Sequence, residues 1–256
     1  MKNVRPLYAL LLIVFSGVSF ANDGEYLSRI ANCSGCHTAV GGAAMAGGRV
    51  VESPYGAFIT PNITADKNTG IGNWTADDFY TAMHKGLRPD GASLYPVCPF
   101  PSYNKAERED VDAIYKYLQS LPAINHAVGN HQLRKPYSWR ALLKPWRWLF
   151  LDTDGFVADQ QQSPQWNRGA YLVNGLGHCG ECHNARNTLG AAERSDDQQG
   201  AIIHGWHAAS FSAEAGVQGW ALADTAELLT AGRNNAAVAL GPMAQVVFNS
   251  LQYLTE

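Results

Sequence analysis

The chain has 256 residues, of which 46% are hydrophobic and 16% are charged, and its formal net charge is -3. This composition excludes a disordered chain, a coiled coil and a polybasic protein, so a nucleic acid is not an expected partner. The five cysteines are too few for a disulfide scaffold, and their number suits metal or cofactor chemistry.

Residues 1–21 have the pattern of an export signal. Lys2 and Arg5 form a positive start, and a mostly apolar run of 14 residues follows at 7–20. Ser19-Phe20-Ala21 then provides a small-x-small cleavage site. The alternative is an uncleaved membrane anchor, but the apolar run is shorter than the ~20 residues that cross a bilayer. We therefore expect an exported chain that begins at Asn22.

Two identical C-x-x-C-H motifs are the strongest chemical signal in the sequence. This pattern is the attachment signature of c-type haem, because two thiols three positions apart can bond the two vinyl groups of one porphyrin. The adjoining imidazole then binds the iron. A zinc site and a redox dithiol are the alternatives; zinc ribbons separate their cysteine pairs by only ~15 to 20 residues. The motifs predict two covalent haem c groups, attached at Cys33 and Cys36 and at Cys179 and Cys182, with His37 and His183 as iron ligands.

An internal repeat with a shift of 146 residues relates the surroundings of the two motifs. The shift superposes Trp74 on Trp220 and Gly86 on Gly232. We therefore predict two homologous haem domains at 22–124 and 166–256, joined by a linker at 125–165. Each domain is predicted to be mainly helical, which makes the fold class all-α. A Thr-x-x-Asp pattern at Thr75 predicts one helix that ends at Gly86, and a second helix follows Asn104.

The second axial ligand of each haem follows from the same repeat. Met243 lies 60 residues after His183, and its neutral thioether is a common haem ligand in exported electron carriers. The corresponding position in the first domain, 61 residues after His37, is Cys98. We expect Cys98 to be a distal ligand that lowers the potential. The alternative is a small buried side chain, with water, Met83 or His84 at the sixth coordination position.

The linker contains an aromatic and basic cluster. Tryptophans, a phenylalanine and cations alternate there, at Trp139, Arg140, Lys144, Trp146, Arg147, Trp148 and Phe150. The cluster predicts either a strip that docks on a membrane surface or partner, or aromatic packing between the two domains. The sequence favours neither.

Short motifs throughout the chain resemble the cytochrome c subunits of membrane-bound bacterial alcohol and gluconate dehydrogenases. They are Gly-Gly-Arg at 47–49, Thr-Pro-Asn-Ile-Thr at 60–64, Thr-Gly-Ile-Gly-Asn-Trp at 69–74, Leu-Tyr-Pro at 94–96, Asn-Arg-Gly-Ala-Tyr-Leu-Val at 167–173 and Gly-His-Cys at 177–179. The resemblance implies two tandem class I cytochrome c domains and a periplasmic location at the inner-membrane surface. It also implies electron relay from a dehydrogenase catalytic subunit to quinone or an oxidase, and a Pro61 carbonyl that orients a haem ligand.

The chain departs from that family in two respects. The resemblance implies three haems, whereas this sequence has two C-x-x-C-H motifs. It also implies a Met at the position where this chain has Cys98. Thr255 has the character of a helix N-cap with one residue after it. We therefore expect a truncated chain in which the second domain lacks its C-terminal helix and a third domain is missing.

The leading functional hypothesis is a dihaem electron carrier without catalytic activity of its own. Its rival is a dihaem enzyme that oxidises a sulfur anion such as thiosulfate at a His/Cys-ligated haem. Cys98 supports the rival, as does a basic group formed by Lys85, Arg88, Lys105 and Arg108. A third reading is a degenerate remnant that fails to retain its haems.

Overall fold

A computed structural model describes residues 24–193, 198–203, 205–212 and 216–254. The predicted export signal and the predicted cap at Thr255 lie outside these ranges. We call residues 24–124 the first half, 125–165 the connecting segment and 166–254 the second half.

Short helices alternate with two small sheets. The first half contains α1 (Gly24–Ile30), α2 (Cys33–His37), β1 (Val50–Ser53), β2 (Gly56–Ile59), α3 (Ala76–Lys85), α4 (Phe100–Tyr103) and α5 (Arg108–Ser120). The connecting segment contains β3 (Gln132–Leu133), a 3-10 turn (Arg140–Leu142) and α6 (Leu143–Phe150). The second half contains α7 (Pro164–Asn174), α8 (Gly180–His183), β4 (Ala201–Ile203), β5 (Trp206–Ala208), α9 (Leu222–Ala231), α10 (Gly241–Asn249) and a 3-10 turn (Leu251–Tyr253).

The all-α prediction is wrong, because the residues that the structure describes are about 39% helix and 11% strand, and the strands form two small sheets. Strands β1, β2 and β3 form an antiparallel sheet, and β4 and β5 form a second hairpin. The segments between the predicted helices contain β-branched and aromatic residues that suit paired strands, such as Val51, which pairs with Phe58. Each hairpin follows one C-x-x-C-H motif.

The first half has a continuous hydrophobic core between α1, α3 and α5. Leu27, Val111, Ile114 and Leu118 have no exposed surface. Gly24 allows α1 to approach α5 closely, since a Cβ atom at this position would lie 2.0 Å from the Ala113 carbonyl oxygen. The haem motif on α2 is therefore supported by a rigid helix pair.

The helix predicted at Thr75 is confirmed. Thr75 and Asp78 form a complete capping box at the start of α3, and Gly86 ends the helix in the left-handed conformation with φ 59°. In the second half α9 ends in the same way at Gly232, with φ 73°. The repeated glycine is thus a helix C-cap in both halves.

Polar contacts join the two halves directly. The Tyr171 hydroxyl on α7 donates to the buried Asp110 carboxylate on α5 at 2.7 Å. Ser102 on α4 donates to Glu181 on α8 at 3.0 Å. The connecting segment packs against both halves as well: β3 pairs with β2, and the Trp146 indole N–H donates to the Leu189 carbonyl at 2.9 Å.

Candidate functional site

The first C-x-x-C-H motif forms the whole of α2. Cys33 and Cys36 are one helical turn apart, so their thiols share a face of the helix. Burial, with a smaller contribution from Cys36, raises the pKa of Cys33 to about 12, and burial also raises the pKa of Cys36. Both thiols are therefore protonated at neutral pH before any covalent bond forms.

The imidazole of His37 is oriented by a backbone carbonyl. Its Nδ1 lies 2.8 Å from the Pro61 oxygen, which leaves Nε2 free for a metal. Burial lowers the pKa of His37, and the carbonyl only partly offsets this effect. A neutral imidazole with a hydrogen-bonded Nδ1–H is the form that binds iron. The Pro61 carbonyl has the position that the family resemblance implies.

The second motif repeats this arrangement. Cys179 precedes α8, and Cys182 and His183 lie within it. The His183 Nδ1 lies 2.7 Å from the Ala209 carbonyl oxygen, and burial lowers the pKa of the imidazole. Burial also raises the pKa of Cys179 to about 11. Ala209 is the first residue after β5, and Pro61 is the second residue after β2, so the segment that leaves each hairpin supplies the carbonyl that orients the histidine.

Cys98 lies beside the first motif. Burial, with a smaller contribution from Cys36, raises the pKa of Cys98 to about 12, and Cys98 in turn makes a small contribution to the raised pKa of Cys33. Cys98 precedes α4, in a turn where its N–H donates to the Tyr95 carbonyl at 3.0 Å. The structure therefore places the fifth cysteine near Cys33 and Cys36, the two cysteines of the first motif.

Backbone hydrogen bonds give Cys98 and Met243 equivalent positions. The Leu94 N–H donates to the carbonyl of the helix-capping Gly86 at 2.7 Å, and the Ala239 N–H donates to Gly232 at 2.8 Å. Cys98 and Met243 each come four residues after the donor of that bond. Met243 is the third residue of α10, and α10 packs against α2 as well as α9.

The other residues considered for the sixth coordination position are engaged elsewhere. Met83 belongs to the core of the first half, and the His84 Nε2 lies 2.8 Å from the Ala106 carbonyl oxygen. In the described ranges no group of three or more His, Cys, Asp or Glu side chains could hold a metal ion. The donor set at each motif is two thiols and one imidazole, which fits a haem c group.

The two motifs are close to each other across the α4–α8 contact. Burial raises the pKa of Cys182, and Glu181 and Cys36 make smaller contributions in the same direction. Glu181, whose side chain is only 12% exposed, accepts from Ser102 and forms an ion pair with Arg186 at 2.5 Å. Sequence reasoning missed this contact, although the position of Glu181 between Cys179 and Cys182 placed a carboxylate at the motif.

Two of the four predicted anion-attracting cations are paired within the chain. Arg88 forms an ion pair with Asp90 at 2.8 Å, and Arg108 contacts Asp77 at 2.8 Å and Asp112 at 2.9 Å. These contacts weaken the positive field that the basic group was predicted to supply.

Comparisons with known proteins agree with this donor set. The family model described as Cytochrome c matches residues 21–122. The chain is 39% identical over 238 residues to the fructose dehydrogenase cytochrome subunit of Gluconobacter japonicus, covering 91% of this chain and 49% of that protein. It is 36% identical to the gluconate 2-dehydrogenase cytochrome c subunit of Pantoea cypripedii, covering 99% of this chain and 62% of that protein. The chain thus spans roughly half to three fifths of the length of these relatives.

A relative of similar length extends the comparison to both motifs. The chain is 33% identical over 246 residues to a diheme cytochrome c-type protein of Cereibacter sphaeroides, covering 93% of this chain and 83% of that protein. The resemblance to dehydrogenase cytochrome subunits is therefore confirmed at the level of the family. The chain belongs to the cytochrome c family of electron-transfer proteins, which implies that it binds haem c covalently.

Proposed function

We propose that the chain carries two haem c groups and relays electrons between a dehydrogenase catalytic subunit and the respiratory chain. Cys33 and Cys36 would attach the first haem, and Cys179 and Cys182 the second. The observation that carries this proposal is the repeated histidine geometry. His37 and His183 each have Nδ1 within 2.8 Å of a backbone carbonyl oxygen, so both rings are held with Nε2 free.

The protein's own groups determine how such a pair of sites works. Haem c supplies reversible one-electron exchange at its iron. The carbonyls of Pro61 and Ala209 fix the orientation of the two imidazoles and support their basicity. The Ser102–Glu181 hydrogen bond holds the two motifs near each other, which short electron-transfer distances require.

We also propose Cys98 as the distal ligand of the first haem and Met243 as that of the second. The equivalent backbone hydrogen bonds four residues before the two residues support this assignment, as does the proximity of Cys98 to Cys33 and Cys36. Iron would hold the Cys98 sulfur as a thiolate, which stabilises ferric iron more than a thioether does. The first haem would therefore have the lower potential.

The names of the relatives support the proposed partner. The relatives include cytochrome subunits of fructose, gluconate and alcohol dehydrogenases, so the electron donor would be a dehydrogenase catalytic subunit. We propose quinone or an oxidase as the acceptor, and the periplasm, at the surface of the inner membrane, as the location. The predicted export signal supports an exported protein.

The relay is tested by mixing the haem-loaded protein with the catalytic subunits of fructose, gluconate and alcohol dehydrogenases, each with its own substrate. We expect haem reduction, seen in the visible spectrum, with at least one subunit and its substrate, and none with any substrate alone. If dithionite reduces both haems but none of the three subunits does, the proposed donor is wrong.

The ligand assignment is tested by low-temperature electron paramagnetic resonance of the ferric protein. We expect a low-spin thiolate signal that disappears in Cys98→Met, with an unchanged second low-spin signal from the other haem. A thioether or high-spin water signal at the first haem of the unmodified protein would contradict the assignment of Cys98.

The proximity of Cys98 to the first motif also favours a second candidate, a dihaem enzyme that oxidises a sulfur anion. Such an enzyme would reduce its own haems when thiosulfate is added without any partner. The ion pairs of Arg88 and Arg108 make this candidate the weaker one. Absence of haem reduction by thiosulfate, with full reduction by dithionite, would remove it.

A further inference from the structure

Helix α6 in the connecting segment has an apolar face that points away from the protein. Its inward side is well packed: Leu143 is 8% exposed, and the Trp146 ring contacts Phe100 at 6.2 Å and Phe150 at 5.4 Å between centroids. The outward side follows the helical spacing of residues 142, 145, 148 and 149. The exposed fractions there are 46% for Leu142, 83% for Trp148 and 56% for Leu149.

The segment that carries this face is rich in positive charge. Residues 113–151 contain six of the 19 Lys and Arg residues of the chain and none of its 22 Asp and Glu residues. Two of the six, Lys144 and Arg147, lie within the helix, and three more precede it in sequence by three to nine residues, at Arg134, Lys135 and Arg140. The segment is therefore strongly basic, although the chain as a whole is acidic.

A surface cavity of about 310 Å³ adjoins the exposed tryptophan. Lys144, Arg147, Trp148, Leu151 and Thr153 line it. The Arg147 Nε is buried and has no hydrogen-bond partner within the described part of the chain. The Lys144 and Arg147 cations and the Thr153 hydroxyl provide donors for a phosphate group, and the Trp148 indole provides an apolar neighbour.

We propose that α6 docks the protein on an anionic phospholipid bilayer. Leu142, Trp148 and Leu149 enter the interfacial region, and Lys144 and Arg147 contact headgroup phosphates. An outward apolar face with Trp and Leu, flanked by cations, is the composition of a helix that lies in the membrane plane. None of the helices in the described ranges is long and apolar enough to cross a bilayer.

Lipid fits this surface better than a protein partner does. Trp side chains favour the headgroup level of a bilayer, and an anionic surface attracts clustered cations without a specific geometry. Docking through α6 rests on the proposed function, in which the electron acceptor is reached at the membrane. The α6 surface would bring the haems to that acceptor.

The apolar part of the proposal is tested by flotation of the haem-loaded protein with vesicles of phosphatidylglycerol and phosphatidylethanolamine. We expect binding, with a blue shift of the tryptophan fluorescence, and weak binding to phosphatidylcholine vesicles. Trp148→Ala combined with Leu149→Ala should reduce the partition coefficient at least fivefold. Trp166→Ala, which removes a 51% exposed tryptophan elsewhere, should leave the coefficient unchanged.

The electrostatic part is tested by Lys144→Gln against the exposed Lys67→Gln as a control. Each cation near an anionic surface contributes about fivefold to binding, so Lys144→Gln should weaken partition by about that factor and Lys67→Gln should not. High salt should weaken binding in the unmodified protein.

Three results would overturn the proposal: no vesicle binding, equal binding to neutral and anionic vesicles, or binding that the α6 substitutions do not change. If the protein does not bind vesicles, and the same substitutions weaken its binding to a dehydrogenase subunit, the α6 surface is a protein interface instead. Haem content and haem reduction are measured on the same samples. Haem reduction reports on the proposed relay and flotation reports on docking, so a failure of one is distinguished from a failure of the other.

Discussion

Tyr171 on α7 connects the two halves through a buried hydrogen-bond pair. Its hydroxyl donates to Asp110 Oδ2 at 2.7 Å and accepts from the Glu107 N–H at 2.9 Å. Tyr171 is 3% exposed and the Asp110 side chain is 5% exposed. Burial raises the pKa of Tyr171, so the hydroxyl is a proton donor throughout the neutral range. Tyr171→Phe removes both bonds and keeps the ring.

The expected loss follows from the charge of the acceptor. A hydrogen bond to a charged group contributes about 1.5 to 3 kcal/mol, and the loss of the partly buried bond from the Glu107 N–H adds about 0.5 kcal/mol or more. The Arg168 guanidinium, 3.5 Å from Asp110, retains part of the stabilisation of the carboxylate. We therefore expect Tyr171→Phe to lower the free energy of unfolding of the haem-loaded protein by about 2 to 3 kcal/mol.

Urea unfolding followed by far-ultraviolet circular dichroism measures this change. Tyr137→Phe is the matched control, because Tyr137 is 44% exposed, and we expect its effect to stay within about 0.5 kcal/mol. A loss below about 0.5 kcal/mol for Tyr171→Phe, at an unchanged denaturant slope, would refute the account of this contact.

Two further predictions concern pH and backbone conformation. His131 accepts the Ile59 N–H at its Nδ1 (3.1 Å), and burial, with a smaller contribution from Arg140, lowers its pKa from the usual 6.5. As the pH falls, the unfolded chain therefore binds this proton before the folded chain does, so the free energy of unfolding should decrease as the pH drops below 6.5. His131→Asn should make this decrease with pH less steep in urea titrations. An equally steep decrease in the variant would refute the explanation. Gly86→Ala should lower the unfolding free energy by more than about 1 kcal/mol, because Gly86 has φ 59° and a Cβ there would lie 2.8 Å from the Phe100 ring. Gly91→Ala, at φ 77° with no atom within 4 Å, should cost less, and equal costs would contradict the steric explanation.

The sequence predicted the features that depend on short-range spacing. The C-x-x-C-H motifs, the capping box at Thr75 and the glycine cap at Gly86 each lie within a few residues, so local chemistry is sufficient. The 60- and 61-residue spacings also predicted equivalent positions for Cys98 and Met243. In the structure each residue comes four positions after a backbone N–H that donates to the glycine cap of the preceding helix. Ligation of a haem by either residue stays a prediction.

The features that the sequence did not predict depend on contacts between distant residues. The strands have two to four residues and are flanked by Gly and Pro, so they do not show a clear alternation, and the fold class was wrong for that reason. The carbonyl that orients His183 comes from Ala209, whose side chain carries no signal. The contact of Ser102 with Glu181 joins residues 79 positions apart, which no single sequence pattern indicates.

The central claim is that each motif carries its own haem. Proteolysis of the haem-loaded protein, followed by mass spectrometry of the peptides, tests it directly. We expect one covalent haem on the peptide that contains Cys33 and Cys36 and one on the peptide that contains Cys179 and Cys182, with Cys98 unmodified. A peptide from either motif with free thiols or an internal disulfide, in a sample whose other motif is fully loaded, would contradict it.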